Sequence, residues 1–435
     1  MVFSSILFLF IYLPIVLALY YILPARFRNL WLFGVNLVFY GWGEPVYILL
    51  MLFSIVLNYV SGLLIQRFRE NRGRARAVLA FNTVLNLLLL FFFKYFDLVA
   101  ETLSRIPGVS IPALGLTLPI GISFYTFQSM SYPIDVYRGD GRVQRSFIKF
   151  GTFVALFPQL IAGPIVRYKD IADQLDNRRE TVDMFASGVE RFVVGLGKKV
   201  LIANNVGMLW DVYAAAPAGE LTFAGAWMAA IAFSLQIYFD FSGYSDMAIG
   251  LGRMFGFHFN ENFNYPYTAD SITDFWRRWH ISLSGWFRDY VYFPLGGSRC
   301  SIPRHICNLL VVWFLTGLWH GANWTFVIWG LYYGLLLILE KSPLKKAVGK
   351  TPKPIRHLLT LFFVVIGWVL FRSDSLAGAW TYLCAMFGKN GFASAQACYD
   401  LLEWMPEWLL CIVACLPLKP AAERFLNSRK GRRGY

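Results

Sequence analysis

Residues 46–66 read VYILLMLFSIVLNYVSGLLIQ, and the ten that follow, 67–76, read RFRENRGRAR. The first stretch carries no charged side chain, and about 20 apolar residues suffice for a helix to cross the hydrocarbon core of a bilayer. The second sets Arg67, Arg69, Arg72, Arg74 and Arg76 against the lone acid Glu70. Basic loops stay on the cytoplasmic side of a membrane. The pair therefore predicts a membrane-spanning helix that ends in the cytoplasm.

Read outward from there, apolar stretches recur at 3–23, 30–43, 77–100, 118–137, 188–213, 222–251, 306–319, 322–340, 357–371 and 405–418. The fold class is all-α: a polytopic membrane protein with about ten spans plus re-entrant or interfacial helices. The stretches 30–43 and 306–319 are short, so tilted or broken pieces are expected there. The stretch 147–165 contains Phe157-Pro158 and Gly163-Pro164, which break a helix twice; it reads as re-entrant. Three further basic runs belong in the cytoplasm. They are Arg138, Arg142, Arg145 and Lys149; Lys341, Lys345, Lys346, Lys350, Lys353 and Arg356; and Arg424, Arg429, Lys430, Arg432 and Arg433. This threading leaves the N-terminus outside, with 42–45 as an outer turn and 101–117 as an outer loop. Met1–Leu23 lacks a basic start and a small-residue cleavage site, and reads as a retained first helix rather than a signal peptide.

Composition agrees. The chain has 435 residues, 57% hydrophobic and only 15% charged, against about 25% charged in soluble domains. The net charge of +14 falls in short runs between apolar stretches. That is membrane topology rather than nucleic-acid binding. The six cysteines lack metal-ligand spacing, and Cys411 and Cys415 read as small core residues. No metal site, phosphate-binding glycine loop or dinucleotide fingerprint is legible. The division is one membrane domain, 1–418, and a basic cytoplasmic tail, 419–435.

Chemistry concentrates in three places. His320 lies in WFLTGLWHGANW, residues 313–324, with apolar sequence on both sides. An imidazole kept inside a membrane is a functional candidate, suited to taking a proton from a hydroxyl near neutral pH. The plain alternative is a core histidine bonding across helices. Its neighbours Trp319 and Asn323 are candidate substrate contacts, and Gly317 and Gly321 admit a close backbone or a substrate. The second place is the polar island 270–299. Asp270 or Ser271 caps a predicted amphipathic helix running to about Tyr290, which carries Arg277, Arg278 and His280. The arginines suit a phosphate-bearing or acidic group; the alternative is a solvated charge face. The third is Asp240 and Asp246 within the run 222–251. They are read as neutralising Arg277 or Arg278, as orienting an imidazole, or as a structural ion pair.

Together these motifs resemble the alginate O-acetyltransferase branch of the membrane-bound O-acyltransferase family. The resemblance rests on LPIGISFYTFQSMSYPIDVYRGD (118–140), FPQLIAGPIVRY (157–168), YFDFSGYSDMAIGLGRMFGFHF (238–259), ENFNYPY (261–267), the segment 271–299 and LTGLWHGANWTF (315–326). It implies a ring of helices around a tunnel, with His320 catalytic and His280 on the cytoplasmic approach. It also implies a cytoplasmic thioester donor, acetyl-CoA, with no bound cofactor. The partners implied are an extracytoplasmic (periplasmic) acetyltransferase subunit and a polysaccharide acceptor, at the bacterial inner membrane. Peptidoglycan O-acetylation is the alternative within the fold, and a glycan-precursor flippase the alternative outside it. Similar proteins continue into one more helix with an aromatic tail, where this chain ends in a basic segment at Tyr435.

The threading is testable. After removal of native cysteines, cysteines placed at Gly73 and Gly349 are expected to stay unlabelled by an impermeant thiol reagent in sealed cells. Labelling of either from outside would overturn it.

Overall fold

The computed structural model describes residues 1–217, 219–342 and 349–418. Lys345 and Lys346 of the third basic run lie outside the described residues, as does the whole basic tail 419–435. The described residues are helical, with no strand among them. Among the described residues seven helices are long and apolar enough to cross a membrane, and the chain is a multi-pass membrane protein.

In chain order the elements are α1 (Phe8–Ile22), α2 (Ala25–Gly43), α3 (Ile48–Arg67), α4 (Arg72–Leu103), α5 (Ile122–Arg138), α6 (Phe147–Ala155), α7 (Phe157–Leu160), α8 (Tyr168–Asn177) and α9 (Val182–Ala214). There follow α10 (Phe223–Met254), α11 (Ile272–Arg278), α12 (Ile281–Phe287), α13 (Ile302–His320), α14 (Trp324–Lys341) and α15 (Lys353–Arg372). The last are α16 (Leu376–Met386), α17 (Ala395–Glu403) and α18 (Met405–Cys415). Two expected short pieces are whole helices. Both α2 and α13 run 19 residues, because polar first turns the hydropathy pattern left out are helical; Pro303 starts α13 at a position where its missing N–H costs nothing. Conversely α18 has 11 residues, roughly 16 Å, well short of the hydrocarbon thickness. It is not the full span that 405–418 suggested, and neither α16 nor α17 was expected.

The described chain forms two compact units. The first comprises Met1–Gly197, Phe241–Glu261 and Gly285–Val291. In it α3, α4 and α5 are joined by buried amides. Asn58 donates to Asn86 Oδ1 at 3.2 Å and Ser129 Oγ at 3.3 Å, and Asn82 donates to Asn58 Oδ1 at 3.1 Å. Such bonds hold helices together where apolar contact alone gives no preference over lipid. The predicted double break in 147–165 is present: α6 stops at Ala155 and α7 is a four-residue turn. Its freed groups are satisfied in place. Gln128 and Gln159 both donate to the Phe153 carbonyl at 2.7 Å, and Phe157 N–H donates to Asn36 Oδ1 at 3.1 Å. Irregular backbone at membrane depth survives only with such partners.

The second unit comprises Lys198–Asp240, Asn262–Ser284 and the chain from Tyr292 on. Its central pair, α13 and α14, meet along a glycine seam. A Cβ on Gly317 would lie 2.4 Å from the Phe326 carbonyl oxygen, and one on Gly330 2.2 Å from that of Trp313. A Cβ on Gly321 would meet the Phe326 ring at 2.2 Å. What approaches Gly317 and Gly321 is therefore the next helix, not a substrate.

Overpacking a tight contact costs about 1–3 kcal/mol, and here the obstacle at Gly317 is backbone. Gly317→Leu is expected to lower membrane accumulation and the thermal midpoint of purified protein. Gly34→Ala, where a Cβ meets nothing within 4 Å, is expected to leave both unchanged. Equal behaviour of the two variants in a thermal-shift measurement would refute the seam.

Candidate active site

The polar island begins as the sequence predicts. Ser271, in extended backbone, accepts the Asp274 N–H at 3.1 Å and caps α11. The helix then stops early. The expected run to Tyr290 is broken at Trp279–His280, because His280 takes a φ of 46°. A left-handed residue other than glycine costs about 1–2 kcal/mol, so something must hold it there.

The preceding loop does so. Asn264 N–H donates to the Arg278 carbonyl and Ile281 N–H to the Asn262 carbonyl, each at 2.9 Å. The Asn262 side chain is fully buried. Its Oδ1 accepts from Ser282 N–H at 3.2 Å and Ser282 Oγ–H at 2.9 Å, and lies 3.2 Å from His280 Nδ1. A backbone N–H can only donate, so the amide atom facing residue 282 is the oxygen. His280 therefore carries its proton on Nδ1 and its lone pair on Nε2. The ring is 1% exposed, and desolvation pushes its pKa down, keeping the imidazole neutral.

His320 comes from the other direction. It is the last residue of α13, at the junction between the stretches 306–319 and 322–340, and Gly321 leaves the helix in extended backbone. Asn323 starts α14: its Oδ1 accepts Thr325 N–H at 3.0 Å, and its Nδ2 donates to the Asp374 carbonyl at 2.8 Å. Both ends of that amide serve the turn, so Asn323 is a cap where a substrate contact was expected. The two histidines, read as separate sites in sequence, are neighbours with ring centroids 6.4 Å apart. Trp319 stands 5.9 Å from His280 and 5.0 Å from His320. Trp329 and Phe371 close the other side of His320 at 4.9 and 5.3 Å.

The charged candidates sort differently. Arg278 donates to Asp274 at 2.9 Å and to Thr268 Oγ1 at 3.3 Å, while Arg277 is exposed. Asp240 pairs with Lys199 at 2.7 Å. Asp246 pairs with Arg191 at 2.7 Å, and that guanidinium also reaches Glu261 at 2.5 Å. The acids thus neutralise cations of α9, not Arg277 or Arg278, and the structural reading of the pair holds with different partners. Asn262, which contacts His280 and Ser282, is a candidate the sequence reading passed over. Its only signal was its place in ENFNYPY; nothing in spacing links residue 262 to 280. Trp329 and Phe371 gave no signal beyond being apolar.

Residues 142–371, which include both histidines, match the model of the MBOAT, membrane-bound O-acyltransferase family. The probable alginate O-acetylase AlgI of Azotobacter vinelandii is 47% identical over 391 residues, covering 89% of this chain and 78% of that protein. Its namesake in Pseudomonas aeruginosa is 48% identical over 391 residues, covering 89% and 75%. The peptidoglycan O-acetyltransferase of Helicobacter pylori is 36% identical over 440 residues, covering 93% and 83%. A paired-histidine centre in an all-helical, multi-pass chain with such relatives has one home: this protein belongs to the membrane-bound O-acyltransferase family and is an O-acyltransferase.

Proposed function

We propose that this chain passes acetyl groups from a cytoplasmic thioester, acetyl-CoA, across the bacterial inner membrane for O-acetylation of an exported polysaccharide. A separate extracytoplasmic acetyltransferase subunit completes the reaction on the glycan. The observation that carries the reading is the apposition of His280 and His320 within one aromatic surround. Relatives named for alginate and for peptidoglycan support a polysaccharide acceptor, and the higher identity of the former favours an alginate-like one.

The chemistry follows from the tautomer. An acceptor hydroxyl adds to the thioester carbonyl carbon and gives its proton to the lone pair on His280 Nε2. A ring N–H of His320 meets the carbonyl oxygen as negative charge builds there. The tetrahedral adduct then collapses, the C–S bond breaks, and the sulfur leaves with the proton returned by His280. The products are an acetyl ester and a free thiol. This moves the base from His320, as sequence position suggested, to His280, whose lone pair Asn262 directs.

Arg277 is the proposed donor contact. It is exposed and within electrostatic reach of Lys341, at the end of α14 that the basic run 341–356 assigns to the cytoplasm. Arg278 is excluded because Asp274 and Thr268 already hold it.

Two sets of variants test this. His320→Ala and His280→Asn are each expected to cut acetyl transfer by about 10²-fold or more at normal membrane abundance. Asparagine tolerates the left-handed backbone, so His280→Asn isolates the imidazole from the fold. Wild-type glycan acetylation in either variant would sink the assignment. Arg277→Gln is expected to raise the donor KM and flatten its salt dependence while leaving kcat unchanged, since exposed charges are screened and buried ones are not. Donor titration at low and high salt decides, and an effect on kcat alone would be contrary.

A further inference from the structure

The start of α11 is tied to the last turn of α14 and the first turn of α15. Glu340 places its carboxylate at the N-terminal end of α11. Its Oε1 accepts Ile272 N–H, and its Oε2 accepts Thr273 N–H at 2.8 Å and Thr273 Oγ1–H at 2.7 Å. These are amides that no carbonyl within α11 can satisfy, and a negative charge there also opposes the helix dipole. Beside it, Asp270 pairs with Arg356 at 2.6 Å, and His357 Nδ1 lies 2.8 Å from the Ala269 carbonyl.

From Ile272 to Arg278 the chain rises roughly 9 Å at helical spacing, and His280 lies two residues beyond. Between those ends Trp276 packs on α14, 5.7 Å from Trp329 and 4.8 Å from Tyr333. The helix α14 therefore touches both halves of the centre. Its last turn holds the foot of α11, and its Trp329 ring faces His320 at 4.9 Å. A shift at the foot of α11 is transmitted along its seven residues to Arg278, two residues before His280, whereas His320 keeps its contact with Trp329.

We infer that Glu340 is a positioning residue for acyl transfer: by gripping the first turn of α11 it sets the distance between His280 and His320. The inference rests on the reading that His280 takes part in the reaction. It assigns to Glu340 a role distinct from holding the fold, because α13, α14 and α15 keep their own seams and aromatic contacts without it.

The experiment is a double-mutant cycle in membranes, with radiolabelled acetyl-CoA as donor and membrane abundance and thermal midpoint recorded for every variant. Glu340→Ala is expected to lower kcat about 10- to 100-fold, the scale of a misplacement near 1 Å, with the donor KM unchanged. Glu340→Gln, which keeps one acceptor oxygen, is expected to fall between. In a His280→Asn background, Glu340→Ala is expected to lower the residual rate by less than about twofold, because the group it positions is gone. An equal proportional loss in both backgrounds would overturn the inference, as would wild-type turnover in Glu340→Ala. If Glu340→Ala fails to accumulate, the same cycle run with Glu340→Gln decides by the same criterion. Wild-type turnover in His280→Asn alone would remove the site reading, and this inference with it.

Discussion

A backbone that leaves helical geometry in a membrane protein must find a partner for each N–H and C=O it frees. The chain meets that demand at Trp279–His280 with the loop that precedes α11. The carbonyl of Arg278 and the N–H of Ile281 are both taken up by residues 262–264, and the side chain that completes the clasp is the one beside the imidazole. One set of bonds thus satisfies the backbone, holds His280 at positive φ and chooses its tautomer. These bonds over-determine the backbone there, which is why a strained residue persists at that point.

Charge within the helices obeys a similar rule. Asp240 and Asp246 sit in an otherwise apolar helix, and each has its own cation from α9. Removing Arg191 strands the buried Asp246, whereas Asp240, its side chain 44% exposed, makes a surface pair worth about 0–1 kcal/mol. Asp246 is the more firmly built into the architecture of the two. The exposed Arg277 differs from Arg278, which Asp274 and Thr268 hold.

Aromatic packing connects the two ideas. Trp276 fills the space among Trp313, Trp329 and Tyr333, and Trp279 lies 4.7 Å from Trp368. The short α11 has too few residues to be stable alone. It is helical because these rings bury one face of it while Ser271 and Glu340 satisfy its first amides. The glycine seam between α13 and α14 brings Trp313 and Trp329 close enough to form that bed. Small residues in one place thereby permit large ones in another.

Much was legible from the sequence. Apolar runs near 20 residues and arginine-rich loops announce a helical membrane protein, since hydropathy and charge are local properties that any fold of the chain must respect. His320 was legible as a costly residue between apolar stretches and His280 as a member of an amphipathic, arginine-bearing segment, and the breaks at Phe157-Pro158 as consequences of proline geometry. The pattern also misled where length alone was read, shortening α2 and α13 and lengthening α18. Only the tertiary structure decided that the two histidine rings are neighbours, that Lys199 and Arg191 rather than Arg277 and Arg278 answer the acids, and that Asn323 caps a turn. It alone joined Asn262 to His280 and Glu340 to the foot of α11. The reason is physical: hydrogen bonds and ring contacts act over a few ångströms in space. A sequence records which groups need partners, but the fold determines which partners lie within reach.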